Sequence, residues 1–389
     1  MPQTATTRPA GFRVRDAVAL PAPGAALATR ATRRDAYAIH VVDTMESVLD
    51  RLVRVLGGAA VAIVTDETVE ALYAGSVLRG LRAAGADPIL HAVPAGEESK
   101  SVESAVALWD WLAHSDLARR DVIVNLGGGV IADLGGWVAS TYMRGLPYVN
   151  VPTTLLAQVD GALGGKVAVN HPLAKNLLGA FHQPAAVVAG IGFLGSTSGR
   201  HLRAGLAEAI KKAMIASPAY WELIEASADD ILARRTAALR RLVECAAAIK
   251  TALVERDPYE LDLRRPLNFG HTVGHPLETV TGYAPLLHGE AVAFGMVVEA
   301  RIATARGLLA AATLERLVAL LSRCRLPVDA ADLPARVSAD ALVAAMQKVR
   351  HIRAGSLRYV LPVGLGETEI ADDVDEHELR SALAECGVG

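Results

Sequence analysis

Three histidines and one glutamate are the residues of this sequence with the clearest capacity to bind a metal ion. His271, His275 and His288 lie within 18 residues of one another, and Glu208 lies in the earlier string GLAEAIKKA. Imidazole nitrogens and carboxylate oxygens are ligands that zinc and other divalent first-row metals take in proteins. The sequence therefore predicts a metal site and leaves open which of these four residues are its ligands.

The spacing of His271 and His275 bears on that choice. Two histidines four residues apart on a helix share one face, which makes them a natural ligand pair. Pro276 complicates this interpretation, because proline fits only the first turn of a helix, where no hydrogen bond is lost. We therefore expect a helix that begins near Thr272 and histidines that need not share a face.

A second group of polar residues lies in the apolar, glycine-rich segment 142–184. Charges in such surroundings are costly unless they are paired or bound to a ligand. Cations beside an amide suit a phosphate or a carboxylate, so the segment predicts an anion site. The alternative is an internal salt bridge between Asp160 and Lys166. The charged side chains of the segment are Arg144, Asp160, Lys166 and Lys175, and Asn176 is an amide next to the last of them.

A glycine triplet predicts a nucleotide site. Residues 127–129 are all glycine and lie between a predicted strand and a predicted helix, where backbone N–H groups can approach a pyrophosphate. Acidic groups at neighbouring strand ends can accept hydrogen bonds from ribose hydroxyls, and Asp66 and Glu97 hold such positions, with Lys100 nearby. The alternatives are an ordinary tight turn and solvated loop charges.

Alternating elements position these residues. Short β-branched runs predict strands over 59–65, 88–93, 121–126 and 147–151, with helices over 67–84, 102–114 and after the glycines. That alternation predicts a parallel sheet whose ligand site lies at the carboxyl ends of the strands. After about residue 200 helical periodicity dominates, apart from a strand over 356–362. We expect an arm (1–35), an α/β domain (36–195) and a helical domain (196–389).

Composition excludes several classes of protein. The 389 residues are 52% hydrophobic, which is enough for two cores and excludes general disorder. Because 39 basic residues oppose 42 acidic ones, a nucleic-acid partner held by a broad basic face is not expected. No apolar run is long enough for a membrane span. Three widely spaced cysteines exclude a disulfide framework and fit the cytoplasm.

Five strings carry a resemblance to a known family. In order they are GGGVIADLGG, RGLPYVNVPTTLLAQVDGALGGKVAVNHPLAKNLLGAF, GLAEAIK, LNFGHTVGHPLE and LLHGEAVAFGM. With them the sequence resembles the 3-dehydroquinate synthase-like sugar-phosphate cyclases over roughly residues 55–370. The resemblance implies an α/β NAD-binding domain with a Rossmann-like parallel sheet and a mostly α-helical metal-binding domain.

The resemblance also implies roles for individual residues. Glu208, His271 and His288 would hold zinc, for which cobalt is an alternative. The phosphate would be bound by His275, Lys166, Asn268 and Arg144, the last reaching in from the second subunit of a homodimer. The substrate hydroxyls near the metal would be surrounded by Asp160, Lys250 and Glu260. The remaining substrate contacts would come from Asn176, Lys211 and Arg264. NAD would be bound by Asp66, Glu97, Lys100, Gly128, Gly129, Asp133, Thr153, Thr154 and Lys175.

The implied reaction converts a seven-carbon sugar phosphate to a carbocycle. One ring hydroxyl is oxidised by NAD, phosphate is eliminated, the hydride returns, the ring opens and an aldol step closes the carbocycle. NAD is regenerated, so the net reaction is that of a lyase. A polyol dehydrogenase and a non-catalytic NAD-binding protein are the remote alternatives.

Two substrates remain open within the family. Where dehydroquinate synthases have Asp-Lys-Lys, this sequence has Val349-Arg350-His351. That stretch resembles the sedoheptulose 7-phosphate cyclases, such as the 2-epi-valiolone synthases, which make valiolone-type cyclitols. Arg264 instead follows the dehydroquinate synthase pattern, in which it would meet a substrate carboxylate, and Asn268 and His275 follow the same pattern. We favour sedoheptulose 7-phosphate and keep 3-deoxy-D-arabino-heptulosonate 7-phosphate as the alternative.

Overall fold

A computed structural model describes residues 36–172, 174–260, 265–282, 285–352 and 357–389, without the side chains of 348–352. The arm expected over 1–35 lies outside these residues. Arg264 lies outside them too, and so do the side chains of the stretch Val349-Arg350-His351.

A six-stranded, all-parallel sheet forms the N-terminal half, as the sequence predicts. Its strands are β1 (Ala38–Val42), β2 (Val61–Asp66), β3 (Ile89–Val93), β4 (Val122–Gly127), β5 (Tyr148–Pro152) and β8 (Ala186–Gly190), in the order β1-β8-β5-β4-β2-β3. The four predicted strands are confirmed to within two residues. We did not predict β1 and β8, because a five-residue apolar run such as AVVAG has no periodicity that separates strand from buried helix.

Helices cover both faces of the sheet and build the C-terminal half. In the N-terminal half they are α1 (Met45–Leu56), α2 (Glu67–Val69), α3 (Gly75–Ala83), α4 (Val102–Ala113) and α5 (Gly129–Thr141). In the C-terminal half they are α6 (Gly199–Ala216), α7 (Pro218–Leu232), α8 (Thr236–Arg256), α9 (His271–Val280), α10 (His288–Ala305), α11 (Ala311–Arg323), α12 (Ala339–Ile352) and α13 (Glu376–Glu385). The domain boundary near residue 195 stays a prediction.

Two antiparallel strand pairs accompany this framework. β6 (Lys166–His171) and β7 (Ala174–Phe181) form a hairpin. It lies in the segment 142–184, where the sequence analysis predicted an anion site but neither of these strands. β9 (Tyr359–Gly364) confirms the late predicted strand and pairs with β10 (Glu367–Ala371). Among the described residues, no helix combines the length and the apolar character needed to cross a membrane.

Glycines allow three helices of the C-terminal half to pack at backbone distance. A Cβ at Gly289 of α10 would lie 1.8 Å from the carbonyl oxygen of Ala204 in α6. A Cβ at Gly295 of α10 would lie 2.0 Å from the carbonyl oxygen of Gly270, at the start of α9. Because backbone atoms cannot rotate away, only glycine fits at these contacts. The sequence thus brings α6, α9 and α10 together without side chains between them.

Substitution of Gly289 by alanine should therefore destabilise the protein. The added methyl group would force α10 away from α6, and overpacking of this kind costs about 1–3 kcal/mol or more. We expect a lower urea midpoint than that of the wild type. Gly195→Ala is the matched control, since open space surrounds that position, and equal losses in the two variants would contradict close packing as the cause.

Candidate active site

Three histidines meet where α9 and α10 begin. The ring centroids are 4.9 Å apart for His271 and His275, 5.2 Å for His271 and His288, and 5.7 Å for His275 and His288. One nitrogen from each ring lies within 4.8 Å of the others, so this cluster could hold a metal ion. The ligand-pair geometry suggested by the four-residue spacing is therefore realised.

The predicted helix start near Thr272 is confirmed to within one residue, but Pro276 does not lie in the first turn as expected. α9 begins at His271, and Pro276 therefore lies in its second turn. A proline there removes the hydrogen bond to the carbonyl oxygen of Thr272. The buried packing of α9 against α10 keeps the segment helical and holds both histidines on one face.

Glu208 completes the cluster from α6. Its Oε1 atom lies 3.6 Å from Nε2 of His271 and 3.7 Å from Nε2 of His288. This buried oxygen has no hydrogen-bond partner among the described residues. Ligands bound at about 2.0–2.1 Å to one tetrahedral zinc ion lie roughly 3.4 Å apart, so the orphaned oxygen and the two nitrogens fit zinc. Burial holds the pKa of His271 well below its usual range, which favours the neutral form that binds metals.

Lysines surround the other side of Glu208. Its Oε2 atom is 2.5 Å from Nζ of Lys211 and 3.5 Å from Nζ of Lys212. Lys212 also lies 2.5 Å from Oδ1 of Asp160, and Lys250 donates to the backbone oxygen of Asp160 at 2.7 Å. Three ammonium groups therefore oppose two carboxylates in a buried cluster. This excess positive charge suits a substrate oxygen that becomes negative, because charges act strongly where water is excluded.

The alternative salt bridge between Asp160 and Lys166 was wrong. Lys166 pairs with Glu260, which has a positive φ of 55°, while Asp160 pairs with Lys212 and Lys250. Gly164 and Gly165, both at positive φ, separate the two residues and turn the chain into the hairpin. Asp160 therefore lies beside the lysines that surround Glu208, and the Lys166 side chain remains about half exposed.

A second polar cluster lies between the strand ends and the hairpin. Lys100 pairs with Asp133 and donates to Oδ1 of Asn176, whose backbone N–H donates to Asn170. Glu97 accepts from Asn170 at 2.8 Å. The sequence analysis named Glu97, Lys100, Asp133 and Asn176 as NAD or substrate residues, but it did not name Asn170. Asp66, expected to meet NAD, accepts from the backbone N–H of Val69 and so begins α2.

The glycine turn and the threonines form a cradle that fits a nucleotide phosphate. Gly128 caps the start of α5, and a Cβ at Gly129 would meet open space. Gly128 also packs against Thr154, since a Cβ there would lie 3.2 Å from the Cγ2 atom of that residue. The buried hydroxyl of Thr153 has no hydrogen-bond partner among the residues described. An unused donor beside the N-terminus of a thirteen-residue helix fits the phosphates of NAD.

Two further predicted substrate residues lie in short turns. Arg144 is exposed in a turn at positive φ and makes no ion pair with the other described residues. Asn268 ends the short turn before α9. Arg264, the third, lies outside the described residues.

Comparisons with known proteins agree with this architecture. Residues 90–204 match the family model of the 3-dehydroquinate synthase N-terminal region, and residues 205–351 match that of the C-terminal region. The chain belongs to the 3-dehydroquinate synthase-like sugar-phosphate cyclases. This family membership makes the protein an enzyme and confirms the resemblance that the five strings carry.

Three relatives of this sugar-phosphate cyclase are informative. A 2-epi-valiolone synthase of Actinosynnema mirum is 54% identical over 96% of this chain and 98% of its own. A 3-dehydroquinate synthase of Desulforamulus reducens is 40% identical over 90% of this chain and 97% of its own. The solved 2-epi-5-epi-valiolone synthase of Streptomyces hygroscopicus, with NAD+ and Zn2+ bound, is 30% identical with a TM-score of 0.86, covering 93% and 99% of the two chains.

Besides Asn170, sequence reasoning missed three residues around the cyclase site. Lys212 carried a signal, because it lies one helical turn after Glu208 and follows the predicted Lys211. Glu278 ends the string LNFGHTVGHPLE and contacts His288 at 3.2 Å. Glu299 had no signal, since a single glutamate in an apolar helix resembles any solvent-facing residue.

Glu299 supports the start of α9 from inside the core. Its Oε2 atom accepts from the backbone N–H of Gly270 at 3.0 Å, and its side chain is fully buried. Burial raises the pKa of Glu299 to about 8, against the opposing effect of the backbone N–H groups. The carboxyl therefore keeps its proton in the folded protein at neutral pH and loses it in the unfolded chain.

The Glu299→Gln variant should change how the free energy of unfolding depends on pH. The raised pKa stabilises the wild type fully below about 4.5, and this contribution is lost as pH rises to about 8. Glutamine mimics the protonated acid and does not titrate. The stability of the variant relative to the wild type should therefore rise by up to about 1.4 kcal/mol per pH unit in that window and then level off.

Urea unfolding of the metal-free proteins at pH 5, 6.5, 8 and 9 measures this difference. Glu385→Gln, which alters a half-exposed carboxylate paired with Arg301, is the control and should follow the wild type. Parallel pH profiles for the wild type and Glu299→Gln would show that Glu299 is ionised in the folded protein.

Proposed function

We propose that this cyclase converts sedoheptulose 7-phosphate to a valiolone-type cyclitol and depends on NAD and zinc. The observation that carries the choice of substrate is the 54% identity to a 2-epi-valiolone synthase, against 40% to a 3-dehydroquinate synthase of comparable coverage. The replacement of Asp-Lys-Lys by Val349-Arg350-His351 supports the same choice. Arg264 is the residue that favours the alternative substrate, which carries a carboxylate.

Glu208, His271 and His288 are the proposed metal ligands. Their support is the orphaned Glu208 oxygen, which faces one nitrogen of each histidine. His275 lies beside them and is assigned to the phosphate, although its ring belongs to the same cluster. The cradle around Gly128 and Gly129 is the proposed site of the NAD phosphates, with Thr153 as a donor.

Bound zinc supplies a Lewis acid that acidifies a ring hydroxyl, and bound NAD supplies reversible hydride removal. The chain itself orients the sugar and stabilises charge. Asp160, fixed by Lys212 and Lys250, is placed to accept a hydrogen bond from a substrate hydroxyl. Lys211 and Lys250 are placed to stabilise negative charge on substrate oxygens. Burial lowers the pKa of Lys250 to about 8, so its ammonium group can give up a proton near neutral pH.

A homodimer completes the proposed phosphate site. Lys166 and Asn268 come from one subunit, and the partner subunit's Arg144 supplies a further cation. One support is that Gly145, next to Arg144, packs beside His182, which directly follows β7. The other is that exposed apolar side chains occur on β7 and beside Arg144, and apolar side chains exposed in this way are typical of a surface that another protein covers. They are Met143, Leu177, Leu178 and Phe181, together with Tyr259, whose ring contacts that of Phe181.

Phosphate release from the two sugar phosphates tests the proposed substrate. The zinc- and NAD-loaded enzyme should release phosphate from sedoheptulose 7-phosphate without net NADH accumulation, and NMR should identify a cyclic product. His271→Ala should lose zinc and this activity together. Turnover of only 3-deoxy-D-arabino-heptulosonate 7-phosphate would make the protein a dehydroquinate synthase, and steady accumulation of NADH would make it a polyol dehydrogenase.

Subunit mixing tests the shared phosphate site. Arg144→Ala and Lys166→Ala should each be inactive. Their stability should be nearly unchanged, because Arg144 is exposed and the Lys166 side chain is about half exposed. In a mixed dimer one site regains both residues, so equal mixing and re-association should restore about a quarter of the wild-type activity. Arg241→Ala, which alters an exposed arginine paired with Glu244, is the control and should stay active. No recovery on mixing would place Arg144 and Lys166 in the same subunit's site or in none.

A further inference from the structure

Glu278 is a buried carboxylate that joins two parts of the site. It lies on α9 with only 2% of its side chain exposed. Its Oε2 atom is 3.2 Å from Nδ1 of His288, at the start of α10. Its Oε1 atom accepts from Nζ of Lys175, on β7 of the hairpin, at 3.0 Å.

The contact with His288 fixes which nitrogen of that ring can bind a metal. Nε2 of His288 faces Glu208, while Nδ1 faces Glu278. A carboxylate accepts a hydrogen bond, so Nδ1 carries the proton and Nε2 keeps its lone pair for the metal. Carboxylates in this position orient a histidine ligand and make it more basic. Glu278 is thus placed to prepare His288 for zinc.

The contact with Lys175 joins the same carboxylate to the nucleotide side. Nζ of Lys175 also lies 3.9 Å from Oε1 of Glu97, which accepts from Asn170. The neighbouring Asn176 accepts from Lys100. Glu97, Lys100 and Lys175 are three of the residues assigned to NAD. Lys175 therefore stands between the proposed cofactor cluster and the helix that carries His271.

We propose that Glu278 is a positioning residue through which NAD binding and metal binding strengthen each other. The proposal rests on the proposed function, which assigns His288 to zinc and the Glu97–Lys100 region to NAD. The position of the buried Glu278 carboxylate depends on both of its partners, the ammonium group of Lys175 and the ring of His288. NAD bound beside Glu97 and Lys100 would hold Lys175 against Glu278, and thereby Glu278 against His288. By linkage, bound zinc must favour NAD by the same factor.

Four affinities of each protein measure this coupling. The zinc Kd is measured by chelator competition with and without saturating NAD, and the NAD Kd by calorimetry with and without zinc. The variants are Glu278→Gln, which keeps the shape and removes the charge, and Lys175→Met, which removes the ammonium group from a partly exposed position. Glu378→Gln is the matched control, because the carboxylate of Glu378, on α13, pairs with Arg306, which directly follows α10, and not with the site.

In the wild type, NAD should tighten zinc binding by about fivefold or more, and zinc should tighten NAD binding equally. Glu278→Gln should weaken zinc binding by about 10- to 100-fold and remove the coupling. Lys175→Met should remove the coupling while changing the zinc Kd of the NAD-free protein less. Glu378→Gln should behave as the wild type. Substitution of a residue with only a structural role would change stability or weaken both ligands. It would leave unchanged the ratio of the zinc Kd without NAD to the zinc Kd with NAD.

Two results would overturn the inference alone. One is a wild type that binds zinc and NAD independently, and the other is coupling that persists in both Glu278→Gln and Lys175→Met. Lys175→Met keeps the test decisive should Glu278→Gln fail to fold. A wild type that binds no zinc would instead overturn the proposed function together with this inference, so the two failures are distinguishable.

Discussion

The burial of the Glu208 carboxylate is the constraint on which the rest of the site depends. A carboxylate withdrawn from water is strongly unfavourable unless cations or donors compensate it. Lys211 and Lys212 compensate one oxygen, and the other oxygen is left facing two imidazole rings. An apolar side chain of similar shape in place of Glu208 would need no compensating charges and would give a more stable fold. We therefore interpret the arrangement as a site that a bound cation completes.

That constraint explains the packing of the helical half. For Glu208 on α6 to face His271 and His288, the starts of α9 and α10 must approach α6 more closely than side chains normally allow. Glycines at 270, 289 and 295 provide that approach, and the buried Glu299 carboxyl binds the backbone at the start of α9. The same geometry tolerates Pro276 inside a helix, because tertiary packing outweighs the lost hydrogen bond.

The hairpin has a comparable place between the two halves. It carries Asn170 and Asn176, whose partners lie on the nucleotide side, and Lys175, whose partner Glu278 lies on α9. A sugar phosphate turned over between NAD and zinc needs both cofactors at fixed positions, since small displacements of reacting groups cost orders of magnitude in rate. Polar side chains on one short hairpin offer such a connection without a large apolar interface.

The sequence by itself determined the class of fold and the types of chemistry. Strand and helix periodicity depends on neighbours within a few residues, so the parallel sheet and the helical half were predictable, and the five strings identified the family. Only tertiary structure decided the pairing of charges. It paired Lys166 with Glu260 and not with Asp160, gave Lys212 a place beside Glu208, and joined Lys175 to Glu278 across 103 residues. Those pairings depend on turns at Gly164 and Gly165 and on helix packing, which fix distances that no local spacing encodes.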